Sequence, residues 1–145
     1  MADSRKYNLG GNCAIAAAVG YIIVGITFFS LPLIQRGSQG RLQITEYFNS
    51  IASDSSLLEL QYWSFSFAAL MGLAVMIAAN RYFRDLGEDL VDWATVVGLI
   101  GYGVMCTNFI RIADVIPQRA KFFVEGGEQI QQAMHGANPL TLDPT

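Results

Sequence analysis

WATVVGLIGYGVMCTNFIRIADVI, residues Trp93 to Ile116, is the stretch whose reading decides the fold. It opens on an aromatic residue, carries Gly98, Gly101 and Gly103 through its middle, and holds no charge before Arg111. An α-helix rises ~1.5 Å per residue and a bilayer's hydrocarbon core is ~30 Å thick, so this stretch reads as a membrane-spanning helix.

The composition of the whole chain agrees. Of 145 residues, 52% are hydrophobic and only 14% charged, where water-soluble domains carry about 25% charged residues. The mean hydropathy is +0.36. Three spans of ~20 residues leave no room for a separate soluble catalytic domain.

The net charge of −3 comes from twelve acidic and nine basic residues, and no basic run exceeds Arg5-Lys6. Nucleic acid is therefore excluded as a partner. Cys13 and Cys106 match neither a zinc nor a CxxC spacing, and each sits in or beside an apolar run, where a thiol acts as a small packing group.

Upstream, Cys13 to Ile34 forms a run of 22 residues without a charge. It is too long and too bulky at its end for a cleaved signal core of about 7 to 15 residues, and is expected to remain as an anchor. Pro32 and the Gln35 to Arg41 loop close it. Ile44, Tyr47, Phe48 and Ile51 then recur at i, i+3, i+4, i+7, which predicts a short amphipathic helix on the membrane surface or on the bundle.

Ser53-Asp54-Ser55-Ser56 supplies a helix start, with Asp54 or Ser55 as the cap. The second span runs from about Leu57 to Ala79, with Tyr62 and Trp63 at belt level and Glu59 among the headgroups. Residues 80–92 make a short link, so the second and third helices are antiparallel neighbours. The four acids between Asp85 and Asp92 lack the D-x-D-x-D-G spacing of a calcium loop and read as a solvated turn.

The expected architecture is thus all-α: an integral membrane protein with three transmembrane helices at about 13–34, 57–79 and 93–116. A polar N-terminal segment (1–12) precedes them, a short amphipathic helix separates the first two, and an extended C-terminal tail (117–145) follows. With the N-terminus inside, four basic residues lie on the cytoplasmic face and five on the other. The count decides nothing, but Arg81 and Arg84 sit in a tight loop and favour the cytoplasmic side for the N-terminus.

Helices in lipid gain little from the hydrophobic effect when they meet, so small residues must let backbones approach. Each span offers a pair at i, i+4: Ala16 and Gly20, Ala68 and Gly72, Ala94 and Gly98. Gly101, Met105 and Asn108 extend the last pair into one stripe, the predicted contact face. Asn108 lies deep enough to require a hydrogen-bond partner. Arg111, roughly 27 Å along the helix from Trp93, reaches the far interface by snorkelling and can pair with Asp114 at i, i+3.

No histidine lies within a span, since the only one, His135, is in the tail. Bis-histidine haem ligation is excluded, and neither a nucleophile with its base nor a phosphate loop is present. No catalytic group, metal site or cofactor is expected, while bound lipids fit the composition. The favoured function is a non-catalytic subunit packing against other integral membrane subunits of a respiratory, photosynthetic or secretion complex, with a homo-oligomer left open. A small oligomeric transporter or channel with a path past Asn108 and Arg111, or the N-terminal part of a longer multi-pass protein, are the alternatives.

Overall fold

The computed structural model describes residues 4–36 and 43–136. Among them there is no strand, and three helices are long and apolar enough to cross a membrane. The elements are α1 (Ser4–Ser30), a 3-10 turn at Leu33–Gln35, α2 (Ile44–Ser53), α3 (Ser56–Phe83), a 3-10 turn at Arg84–Leu86, α4 (Glu88–Glu125) and α5 (Gly127–Gly136).

α3 is the middle helix, with α1 packed on one side and α4 on the other. Both neighbours run antiparallel to it. Gly10 faces Ala78 and Gly20 faces Ala68 along the first seam, while Gly98 faces Met76 and Gly72 faces Tyr102 along the second. Phe65 continues the second ladder by stacking on Phe109 at 4.6 Å between ring centroids.

The turn before α3 is closed by Asp54, while the N-cap residue Ser55 makes no side-chain cap bond. Asp54 Oδ1 accepts hydrogen bonds from the Ser56 backbone N–H (2.9 Å) and the Ser56 hydroxyl (2.7 Å), satisfying a donor that a helix start leaves open. The Ser55 hydroxyl donates to Glu59 Oε1, so Glu59 is held in the first turn. At the end of α1, Arg36 donates from Nε to the Leu31 carbonyl (3.0 Å) and from Nη2 to the Phe29 carbonyl (2.5 Å). A cation on terminal carbonyls is the favourable sense of the helix dipole.

The helices exceed the expected spans. α1 is already helical from Ser4, within the segment expected to be merely polar, and α3 runs on to Phe83. The largest difference lies at the end of α4, which does not stop at Ile116 but passes through Pro117 to Glu125. The described part of the expected extended tail is therefore helical, with α5 following to Gly136; residues 137–145 lie outside the described residues.

Proline inside a helix forfeits one hydrogen bond and costs about 3 kcal/mol. Packing offsets that cost here. Pro117 is buried, and Ala120 and Phe123 share a core with Phe48 and Ile51 of α2. Phe123 lies against Phe48 with ring centroids 5.0 Å apart. Leu31, Ile51, Leu58 and Met134 complete this core, with Ile44, Tyr47, Ile116 and Ile130 packed around it.

The protein's hydrophobic core is thus a cap at one end of the bundle. The apolar face read in residues 44–51 packs onto it, with Phe48 and Ile51 buried and Ile44 and Tyr47 partly so. Gln35 ties the α1 exit to α2, donating from Nε2 to Ser50 Oγ (2.9 Å) and to the Asp54 carbonyl (3.3 Å).

Two glycines let α5 fold back. A Cβ at Gly126 would lie 2.7 Å from the Phe122 carbonyl oxygen and 2.9 Å from Ile130 Cβ. Gly127 has φ +70°, a region that side chains with a Cβ enter at a cost.

Phe123→Ala is expected to cost about 3 to 5 kcal/mol and Phe122→Ala, on the exposed side, less than about 1 kcal/mol, read from denaturant unfolding in detergent. Burial, with Tyr62 alongside, pushes the Tyr47 hydroxyl up to about 12 from its ordinary 10.0. The folded state thus favours neutral Tyr47. That stability is complete below pH 10 and is lost as pH rises through about 12, a loss of about 2 to 3 kcal/mol. Unfolding titrations should show the alkaline loss shrinking by that amount in Tyr47→Phe.

Candidate partner-contact face

The small residues singled out in the sequence fall into two groups. Gly20, Ala68, Gly72 and Gly98 line the internal seams. A Cβ on Gly20 would lie 3.1 Å from Ala68 Cβ, and one on Gly72 would lie 2.6 Å from Tyr102 Cε1. A Cβ on Gly98 would collide with the end of Met76. Ala16, one turn before Gly20, is partly buried.

Ala94, Gly101, Met105 and Asn108 instead point outward. A Cβ added at Gly101 would meet nothing within 4 Å. The face of α4 that packs on α3 consists of Thr95, Leu99, Tyr102, Cys106, Phe109 and Ala113, all buried or partly buried. At about 100° per residue, that face is roughly 100° around the helix from the predicted stripe. The stripe is not one surface: Gly98 is at its inner border, and Gly101 and Asn108 look away from the bundle.

The apolar window of α4 is only 6% buried, against 22% for α3 and 17% for α1. Val97, Ile100 and Val104 are exposed beside Gly101. Asn108 sits among them, about 22 Å along the helix from Trp93. Among the described residues nothing hydrogen-bonds its side chain, whereas the neighbouring Thr107 hydroxyl donates to the carbonyls of Gly103 (3.1 Å) and Val104 (3.0 Å).

Arg111 and Asp114 are both exposed, and Asp114 Oδ1 accepts a hydrogen bond from Gln118 Nε2 at 2.8 Å.

Several structural groups had no signal in the sequence reading. Arg119, placed in the tail, is buried at 7% exposure beside Ala120. Asn80 donates from Nδ2 to Asp92 Oδ1 (2.7 Å) and Thr95 Oγ1 (3.0 Å), stapling α3 to α4 at the end opposite the cap. The short link between those helices was the available clue, since its flanks must meet. The exposed Arg84–Glu88 pair (2.6 Å) adds little there.

Among the described residues, no three His, Cys, Asp or Glu side chains come together as a metal site. No family model, curated protein or solved structure matches the chain.

The two groups of glycines should respond differently to the same change. Gly72→Ala must displace the Tyr102 ring and is expected to cost about 1 to 3 kcal/mol in the detergent-solubilised monomer. Gly101→Ala should stay within about 0.5 kcal/mol of the parent there. Thermal unfolding of both variants checks the difference.

Proposed function

We propose that the chain is a non-catalytic integral membrane subunit. α1, α3 and α4 cross the bilayer, and the outer face of α4 packs against other membrane chains of a larger complex. The observation that carries this reading is Asn108. An amide facing hydrocarbon without a partner costs several kcal/mol, and another helix bearing a polar group removes that cost. Gly101, two turns back on nearly the same side of the helix, lets such a helix approach closely.

The start of α1 and the 84–87 turn share one side, which we assign to the cytoplasm because Arg81 and Arg84 lie close to the ends of the spans there. The cap formed by α2, α5 and the end of α4 then lies on the opposite side.

Purification in mild detergent, followed by native mass spectrometry, tests the subunit assignment. The expected result is co-purification with other polypeptides, weakened about five- to twenty-fold by Asn108→Leu. Recovery of a lone monomer would contradict it, and a lone homo-oligomer that conducts ions in liposomes would replace it with a channel.

A further inference from the structure

A groove of about 540 Å³ opens between the first turns of the α1 span and the last turns of α3, at the end opposite the cap. Gly10, Gly11, Ala14, Ala74 and Ala78 line it, so nothing larger than a methyl group fills it from those positions. Leu9 and Phe83 form exposed apolar rims, and Arg81 stands at the mouth. The volume falls within the range of about 300 to 1,000 Å³ typical of small-ligand sites.

We propose that this groove holds the upper part of an acyl chain of an anionic phospholipid, with the lipid phosphate on Arg81. The inference rests on the membrane-spanning part of the proposed function and is independent of the Asn108 contact.

Three observations converge on that occupant. The apolar run of α3 ends at Ala79, which sets Arg81 at headgroup level, and the groove descends from there to Ala74, about 10 Å along the helix. Arg81 is exposed, and no hydrogen bond or ion pair joins it to a described residue. Of the charged groups nearby, Asp92, which lines an adjoining pocket with Arg81, accepts from Asn80 (2.7 Å), and Arg84 is paired with Glu88 (2.6 Å). An arginine fork matches phosphate oxygens with two parallel hydrogen bonds. A membrane-level cation beside an apolar channel therefore complements an anionic headgroup joined to a hydrocarbon chain.

The test is reconstitution of the full chain into nanodiscs containing equal phosphatidylglycerol and phosphatidylcholine, with native mass spectrometry of the lipid retained after release. Parent protein is expected to retain phosphatidylglycerol about five-fold over phosphatidylcholine. Arg81→Gln should level that preference while lipid still binds. Gly11→Leu fills the groove from a position where a Cβ meets nothing within 4 Å, and should abolish retention at an unchanged melting temperature.

Equal retention of the two lipids by the parent protein, or an undiminished preference in Arg81→Gln, would overturn the site and leave only annular lipid. Dissociation of a dimer by Gly11→Leu would also overturn it, making the groove a contact between copies. Recovery of the chain in the aqueous phase after a carbonate wash would instead contradict the membrane reading itself.

Discussion

The length of α4 constrains everything else. Its 38 residues extend about 57 Å, nearly twice the hydrocarbon thickness of about 30 Å. A helix can cross lipid because its backbone groups are satisfied internally, but the part that emerges must bury its apolar side chains against protein. Phe123 against Phe48 is that burial, and α2, α5, Leu31 and Leu58 are arranged around the pair. The proline at position 117 is tolerated because this packing outweighs one missing hydrogen bond.

The two ends of the bundle are consequently built on different principles. The cap end has a closed apolar core, and Gln35 holds the α1 exit to α2 and the start of α3. At the other end no such core forms among the described residues; the Asn80 amide joins α3 to α4, and a groove opens between α1 and α3. Between the ends, α1 and α3 meet through glycine against alanine, while α3 and α4 meet through glycine on one helix and Tyr102 or Met76 on the other. The outer face of α4 is the least covered of the three spans.

Much of the fold could be read from residues because it rests on simple lengths and periods. Runs of about 20 apolar residues can do little in water, so the three long helices were evident, and the 44, 47, 48, 51 spacing identified the face α2 buries. The rotation of α4 was not legible. Searching one helix for small residues finds holes, whereas α4 also contributes knobs: Tyr102 fits over Gly72 of α3, and Phe109 stacks on Phe65. Gly98 and Gly101 look alike in sequence, yet only the first has Met76 above it. The continuation past Ile116 was missed for a related reason, since Pro117 reads as a stop unless one knows what Ala120 and Phe123 pack against.

Hydrogen exchange of the full chain in lipid nanodiscs, resolved by peptide, tests most directly whether α4 is one continuous helix ending in a packed cap. A continuous helix predicts slow exchange for amides across 97–112, shielded by lipid, and equally across 118–134, shielded by the cap. Exchange of 118–134 at the rate of an unstructured peptide, with 97–112 still protected, would contradict it and restore a helix that stops at the membrane edge.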